Sequence, residues 1–188
     1  MEKTDEQIAF AGLRIVFFGP ESTWKTTLSK TIAGRYDAAW VEEYAREYLQ
    51  KKWDEVQQIC TPEDIKPIVR GQLQRENEAV LTGKNLVVCD TNPLQTAVYE
   101  KYYFGKNSTY LMQLLPKLSY DFYFLCDIDT PWIADDLRDR PNQRQELFQS
   151  FKGWLTKRQL PFTTLSGSSE EKLSIADRHT QLLTQGLI

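Results

Sequence analysis

The sequence has few of the residues that hold structural metals or form disulfide bonds. Three cysteines and one histidine occur among its 188 residues, and Cys60, Cys89 and Cys126 do not have the spacing of metal ligands. An odd number of cysteines in a reducing compartment predicts free thiols, and we expect Cys89 and Cys126 to be buried because each lies in an apolar run. His179 lies in a polar segment near the C-terminus, so we expect it at the surface.

The sequence also lacks a long apolar stretch, a strong excess of charge and a low-complexity linker. No apolar run is long enough to span a bilayer, and residues 1–6 do not read as a signal peptide, so we expect a cytoplasmic protein without a membrane partner. A net charge of −3 gives no basic surface for nucleic acid. Without an internal repeat or a Gly/Ser linker, residues 1–188 are expected to form one domain. The sequence indicates no oligomeric state.

What the sequence does contain is a phosphate-binding loop with one unusual residue. Residues 19–26 read Gly-Pro-Glu-Ser-Thr-Trp-Lys-Thr, which fits the pattern G-x-x-x-x-G-K-[ST] except at Trp24. An apolar run at 13–18 precedes the loop, and Leu28 and Ile32, one helical turn apart, follow it. Backbone N–H groups in such a strand–loop–helix unit attract phosphate, so the segment predicts binding of ATP.

Individual residues of this loop have distinct expected roles. Lys25 would reach the β- and γ-phosphates, and Thr26 would offer its hydroxyl to Mg²⁺. Glycine at position 24 would allow close approach of the backbone to phosphate and a positive φ, which tryptophan resists. The Trp24 ring could crowd the β-phosphate or distort the loop, or it could point outward with little effect. We hypothesise weaker nucleotide affinity than in a Trp24→Gly variant. The loop residues expected to bind the nucleotide are Gly19, Glu21, Ser22, Thr23, Trp24, Lys25, Thr26 and Thr27.

Strand-like and helix-like segments alternate along the chain. Strands are predicted at 13–18, 38–42, 86–90, 121–126 and 161–165, and helices after the loop, over 43–52, from Pro62 (with Thr61 as N-cap) to about 82, over about 93–105 and from about 169. This order predicts an α/β fold of the three-layer P-loop NTPase type, with a five-stranded parallel sheet and helices on both faces. Ligands of such sheets bind beyond the carboxyl ends of the strands, where the loop at 19–26, Glu42–Glu43, Asp90–Thr91 and the chain from Asp127 are expected to meet.

Acidic residues follow two of these strands. Asp90 ends an apolar strand, where it could hold Mg²⁺ through water or bind a substrate hydroxyl, although a helix-capping role is also open. Glu43 opens the segment Glu-Tyr-Ala-Arg-Glu-Tyr at 43–48, which faces the phosphoryl acceptor in P-loop kinases of small metabolites. There Glu43 could accept the proton of the acceptor hydroxyl, and Arg46 could hold a phosphate or orient the carboxylate. A solvated helix face is the alternative.

The region at about 128–145 is rich in arginine and aspartate, as expected of a lid that closes over phosphates. A salt-bridged surface loop is the alternative. Trp132 could pack beneath this lid or stack on a flat base. Gly167, in the turn after the fifth strand, would border the adenine or form a plain turn. The arginines expected to contact the phosphates are Arg138, Arg140 and Arg144.

Together these motifs resemble the nicotinamide riboside kinase domain of bacterial bifunctional NAD-biosynthesis regulators and the stand-alone ATPase/kinase proteins related to it. The resemblance spans roughly residues 10 to 185, and is carried by 19–26, 43–48, Cys-Asp-Thr at 89–91 and Pro-Trp-x-x-Asp-x-x-Arg at 131–138. It implies phosphorylation of nicotinamide riboside by ATP with Mg²⁺, giving nicotinamide mononucleotide and ADP. It also implies that Lys25 and Thr26 bind phosphate and Mg²⁺, that Glu43 and Asp90 face the riboside and the metal, and that Arg138 and Arg144 close on the phosphates. The residues that we expect to serve catalysis are Lys25, Glu43, Asp90 and Arg138, and those expected to contact the acceptor are Glu43, Tyr44, Arg46, Asp90 and Trp132.

The sequence departs from this family in two respects. Trp24 replaces the glycine of the phosphate loop, and no segment resembles the nucleotidyltransferase or DNA-binding domains of the bifunctional members, so we expect no regulatory role. Two other functions remain open. One is a kinase for another nucleoside or small metabolite, and the other is a nucleotide-binding or sensing module whose catalysis has decayed.

Overall fold

Strands and helices alternate through residues 5–132 and 143–187, the part of the chain that the computed structural model describes. The strands are β1 (Leu13–Phe18), β2 (Ala39–Val41), β3 (Leu86–Asp90), β4 (Phe122–Cys126) and β5 (Phe162–Leu165). The α-helices are α1 (Lys25–Arg35), α2 (Tyr44–Val56), α3 (Ile65–Val80), α4 (Pro93–Phe104), α5 (Thr109–Leu114), α6 (Arg144–Lys157) and α7 (Ser169–Thr184), with short 3₁₀ turns at Pro62–Asp64 and Leu115–Lys117.

The strands form one parallel sheet in the order β2-β3-β1-β4-β5. The central strand β1 pairs with β3, where Leu13 lies opposite Leu86, and with β4, where Ile15 lies opposite Phe122. Because β1 is central, the loop that follows Phe18 opens at the middle of the sheet's carboxyl edge. That is the position where ligands of open α/β sheets bind.

Alternate side chains of β1 fill two separate apolar layers. Val16 and Phe18 pack with residues of α4 and α6, including Phe151, whose ring meets that of Phe18 edge-on with centroids 4.8 Å apart. Ile15 and Phe17 pack with residues of α1 and α7 on the other face. All of these side chains are fully buried. Helices therefore cover both faces of the sheet, which confirms the predicted three-layer α/β fold.

Most predicted element bounds are confirmed within two residues. Strands β1 and β3 have the predicted bounds, and the other three strands are shorter than predicted at one or both ends. The helix predicted over 43–52 extends to Val56, and α5 was not predicted. Thr61 is the N-cap of the turn before α3 as predicted, and its backbone N–H donates to the Asp64 carboxylate at 2.7 Å.

The predicted burial is confirmed for two cysteines but is wrong for the histidine. Cys60, Cys89 and Cys126 are free, and the last two are buried as predicted. The surface position expected for His179 is corrected: its ring is half-buried and lies 5.8 Å from the ring of Phe122, because this side of α7 covers β4. No helix among the described residues is both long and apolar enough to cross a membrane.

Residues 5–8, the N-terminal segment, lie across α3 and are held there by polar contacts. Asp5 accepts two hydrogen bonds from Arg70, at 2.6 and 2.9 Å. Gln7 donates to the carboxylate of Glu76 at 3.3 Å, and the Tyr120 hydroxyl donates to the same oxygen at 2.8 Å. Glu76 is fully buried, and this burial raises its pKa to about 7. The segment therefore closes one side of the molecule over a buried carboxyl group.

Candidate active site

The loop between β1 and α1 has the backbone conformation of a phosphate-binding loop. Gly19 has a φ of +133°, and a Cβ atom there would lie 2.8 Å from the Cys126 carbonyl oxygen, so glycine is required. Ser22 and Trp24 have φ values of 54° and 72°, in the left-handed region. Trp24 immediately precedes α1 and adopts the conformation for which the motif specifies glycine. A non-glycine residue in this region costs on the order of 1–2 kcal/mol.

One carbonyl group of this loop binds two of the loop's own side chains. The Pro20 carbonyl accepts hydrogen bonds from the Thr23 hydroxyl at 2.8 Å and from Lys25 Nζ at 2.6 Å. Lys25 is buried, although it carries a terminal ammonium group. The Pro20 carbonyl thus holds this cation at the loop, where its positive charge favours an anion.

Two side chains support the loop from outside. The Ser22 carbonyl accepts a hydrogen bond from the Thr130 hydroxyl and another from Arg144 Nη2 at 3.0 Å. Arg144 Nη1 also donates to the Thr130 carbonyl at 2.8 Å, and its guanidinium lies 5.8 Å from the centre of the Trp132 ring. Burial lowers the pKa of Arg144. The predicted lid arginines Arg138 and Arg140 lie outside the described residues.

Asp90 and Thr26 form the candidate metal site. Thr26 Oγ1 donates to Asp90 Oδ2 at 2.5 Å, and Asp90 Oδ1 is buried without a hydrogen-bond partner among the described residues. Burial and the nearby Glu43 carboxylate raise the pKa of Asp90 to about 7, although the Lys25 ammonium opposes this rise. Asp90 is not a helix cap, because Asn92 occupies that position before α4.

Asp90 and Thr26 suit Mg²⁺ that is bound partly by substrate phosphates, and do not suit a metal ion that only protein side chains coordinate. The described residues contain no cluster of three or more histidine, cysteine, aspartate or glutamate side chains that could hold a metal ion. Mg²⁺ in phosphoryl-transfer sites uses one or two carboxylates together with substrate phosphates and water. The unpaired Asp90 Oδ1 and the Thr26 hydroxyl supply protein oxygens of this kind.

Glu43 lies at the N-cap of α2 and faces the phosphate loop. Gln95 Nε2 donates to Glu43 Oε1 at 3.4 Å, and Gln95 Oε1 accepts from the backbone N–H of Gly19 at 3.3 Å. The next residue, Tyr44, donates its backbone N–H to Gln72 at 2.9 Å. The candidate base is therefore connected to the loop through one buried amide.

A cavity of about 730 Å³ joins the phosphate loop to α2 and α4. This volume is typical of pockets for small ligands. Trp24 lines the cavity and its residue surface is 43% exposed, so its ring stands at the cavity wall and not in the core. The polar part of the lining includes Glu21, Lys25, Thr26, Glu43, Arg46 and Tyr99. The apolar part includes Leu49, Ile59, Ile65, Ile68 and Phe104.

Not every predicted site residue lines this cavity, and the described ones that do not are Gly19, Tyr44, Asp90, Trp132, Arg144 and Gly167. The Tyr44 ring packs against Gly71 of α3, and the Arg75 guanidinium lies 4.9 Å from its centre. Trp132 lies beside Arg144, and Gly167 lies in the loop after β5, where its N–H donates to Asp129. The predicted residues that do line the cavity are Glu21, Ser22, Thr23, Trp24, Lys25, Thr26, Thr27, Glu43 and Arg46.

Three further residues support the site and were not predicted, namely Gln95, Thr130 and Lys172. Lys172 is fully buried on α7, donates to the Asp127 carbonyl at 2.9 Å and forms an ion pair with Asp129. A lysine that shares a helix face with residues such as Ala176 was the one available signal. Gln95 and Thr130 are single polar residues outside any motif, so the sequence held no signal for them.

Comparisons with known proteins agree with this architecture. A family model described as an AAA domain matches residues 14–172. The trifunctional NAD biosynthesis/regulator protein NadR of Salmonella typhimurium is 27% identical over 124 residues, which cover 66% of this chain and 30% of NadR. The chain thus spans less than a third of the length of that curated relative.

Solved structures show the same fold. A crystal structure of NadR in complex with NR superposes with a TM-score of 0.76 and 22% identity, covering 90% of this chain and 51% of that one. Thymidylate kinase from Ehrlichia chaffeensis gives a TM-score of 0.64 and 16% identity, covering 92% and 98%. The match over 14–172 includes the phosphate loop, Glu43 and Asp90. This protein therefore belongs to the AAA domain family, and is a nucleotide-binding P-loop protein with a kinase-like α/β fold, homologous to NadR.

Proposed function

We propose that this protein is a small-molecule kinase that transfers the γ-phosphoryl group of ATP to a hydroxyl of nicotinamide riboside, giving nicotinamide mononucleotide and ADP. The observation that carries the proposal is the single cavity that joins Lys25 and Thr26 at the phosphate loop to Glu43 and an apolar end. A kinase needs a phosphate site, a base and an acceptor pocket in one space, because phosphoryl transfer depends mainly on positioning.

The chain supplies groups for each part of the reaction. Lys25 and the loop N–H groups stabilise negative charge on the phosphates. Glu43 accepts the proton of the acceptor hydroxyl while the hydroxyl oxygen bonds to the γ-phosphorus. The bond from that phosphorus to the β–γ bridging oxygen breaks, which releases ADP. Thr26 and Asp90 would hold Mg²⁺, which neutralises charge on the β- and γ-oxygens when bound.

Arg144 has a supporting part in this proposal. Its guanidinium is bonded to the Ser22 carbonyl, so the Ser22 peptide is held with its oxygen turned out towards Arg144 and Thr130. A fixed loop needs no rearrangement to receive the phosphates. Similarity to NadR, of which one crystal structure contains NR, supports nicotinamide riboside as the acceptor.

Product formation from nicotinamide riboside and MgATP tests the proposal. The chain should form nicotinamide mononucleotide, detected by chromatography, and Lys25→Met should reduce the rate by about 100-fold or more, because the cation at the phosphates is lost. Lys30→Met is the matched control, since Lys30 is an exposed lysine on the same helix. Turnover only with other nucleosides in a panel would assign a different acceptor to the same site.

The alternative of a catalytically decayed nucleotide-binding module is favoured by one observation, the left-handed backbone of Trp24. Running Trp24→Gly beside the natural chain separates the two functions. Activity in both identifies a kinase that tolerates tryptophan, whereas activity in the glycine variant alone identifies a kinase fold impaired at position 24. Nucleotide binding without turnover in either, on any acceptor, identifies the binding module.

A further inference from the structure

Gln95 is a buried polar residue at the centre of the candidate site. It lies in the first turn of α4, directly after β3, and is 4% exposed. A buried amide is costly unless its polar atoms are hydrogen-bonded, and here both ends of the amide have partners. Its two partners belong to different halves of the cavity, the phosphate loop and the start of α2.

The direction of the Gln95 amide is fixed by chemistry. The Gly19 backbone N–H can only donate, so the atom 3.3 Å from it must be the amide oxygen. The amide NH₂ group therefore points to Glu43 Oε1 at 3.4 Å, where it can only donate. Gln95 thus presents a donor to the carboxylate and an acceptor to the phosphate loop, and the reverse arrangement would leave both contacts repulsive.

A second buried glutamine fixes the backbone next to this contact. Gln72 accepts a hydrogen bond from the Tyr44 N–H at 2.9 Å and donates to the Thr91 carbonyl at 3.4 Å. The first turn of α2 is therefore held to the end of β3. Because the backbone next to Glu43 is held in this way, the direction of the Glu43 carboxylate depends on its side-chain contacts, and one of these is the contact with Gln95.

We propose that Gln95 is a positioning residue for phosphoryl transfer, which holds the Glu43 carboxylate at a fixed place relative to the phosphate loop. The inference rests on the proposed function, because it takes Glu43 as the group that accepts the acceptor's proton. It goes beyond that function by naming the side chain that connects the donor half of the site to the acceptor half. Displacement of a reacting group by about 1 Å can cost about 100-fold in rate.

Steady-state kinetics of two Gln95 variants test the inference. Gln95→Leu removes both hydrogen bonds, and Gln95→Glu keeps the size but places a carboxylate oxygen against Glu43. We expect kcat to fall by about 10- to 100-fold in both, while the KM values for MgATP and acceptor change by less than about threefold. Gln74→Leu is the matched control, since Gln74 bonds Glu78 on the outer side of α3. The control should keep its kcat.

Nucleotide-binding stoichiometry separates positioning from loss of folded protein. Calorimetric titration with ADP should give one site per chain in Gln95→Leu, so that the lower kcat belongs to folded molecules. An unchanged kcat in Gln95→Leu, or a fall that matches a lost fraction of binding sites, overturns the inference.

A measurement without acceptor keeps this test distinct from that of the proposed function. In ¹⁵N-labelled protein, Glu43→Gln should shift the side-chain amide signals of Gln95. Glu47→Gln should not shift them, because Glu47 lies on α2 but its carboxylate is paired with Arg75 of α3. Signals that do not move with Glu43→Gln overturn the contact. If they move but no acceptor is phosphorylated, the proposed function fails and the connection between the two halves stands.

Discussion

Replacing Glu76 with glutamine should raise the free energy of unfolding at pH 8 by more than at pH 5. Glu76 is fully buried beneath the N-terminal segment, and burial raises its pKa from 4.5 to about 7, against the hydrogen bonds from Tyr120 and Gln7 and the charge of Arg14. The folded protein therefore keeps this proton at pH values where the unfolded chain has lost it. Glutamine has a similar shape and carries no charge at any pH.

The sign and size follow from proton linkage. Between pH 4.5 and about 7 the folded state binds more protons at this site than the unfolded state, so the contribution of Glu76 to stability is complete below pH 4.5 and is lost as pH rises through 7. A pKa raised from 4.5 to about 7 corresponds to about 3 kcal/mol of unfolding free energy. The advantage of Glu76→Gln over the natural chain should therefore grow by about 3 kcal/mol from pH 4.5 to pH 8.

Urea unfolding at several pH values measures this difference. Glu78→Gln is the matched control, because Glu78 is exposed on the same helix and its replacement should leave the pH dependence unchanged. A constant offset between Glu76→Gln and the natural chain from pH 5 to 8 would refute the reasoning. It would mean that Glu76 is already ionised at low pH, held by the Arg14 guanidinium.

Three other changes test the site and its supports. Trp24→Gly should bind MgATP about tenfold more tightly in a calorimetric titration, because the ring no longer stands at the phosphate loop; equal dissociation constants would contradict the hypothesis of steric weakening. Lys172→Met should lower the unfolding free energy in urea by about 3 kcal/mol, since it removes both the ion pair with Asp129 and the buried hydrogen bond to the Asp127 carbonyl. Arg35→Met breaks an exposed 3.3 Å pair with Asp177 and should cost no more than about 1 kcal/mol, so similar losses in both variants would argue against a special role for burial. Asp90→Asn should raise the Mg²⁺ concentration needed for half-maximal activity by about tenfold or more, and an unchanged Mg²⁺ dependence would remove Asp90 from the metal site.

The fold could be predicted because its main signals are local. Each buried strand is a short apolar run, and the phosphate loop has its motif between a strand and a helix. Helix α5 escaped prediction because it is only six residues long and its apolar residues form no clear period. His179 was placed at the surface because its neighbours are polar, but tertiary packing against Phe122 and Phe124 covers its ring.

The candidate site was predictable only where one residue type performs a known task. Lys25 and Asp90 follow from the motif and the strand end, and the structure brings both together with Glu43. Gln95 and Thr130 act through backbone groups of Gly19 and Ser22, and such partners depend on the fold and leave no pattern in the sequence. Tyr44 belongs to a conspicuous motif, yet its ring packs against α3 and not in the cavity.

The central place of β1 has a consequence for how the chain is made. Its residues are synthesised before those of β3 and β4, yet Leu13 pairs with Leu86 and Ile15 with Phe122. Both edges of this apolar strand are therefore unpaired until those later strands have been made. Such distant pairings slow folding and expose aggregation-prone edges in the meantime. The nascent chain therefore has a period, between synthesis of residues 18 and 126, in which chaperone binding should matter most for yield.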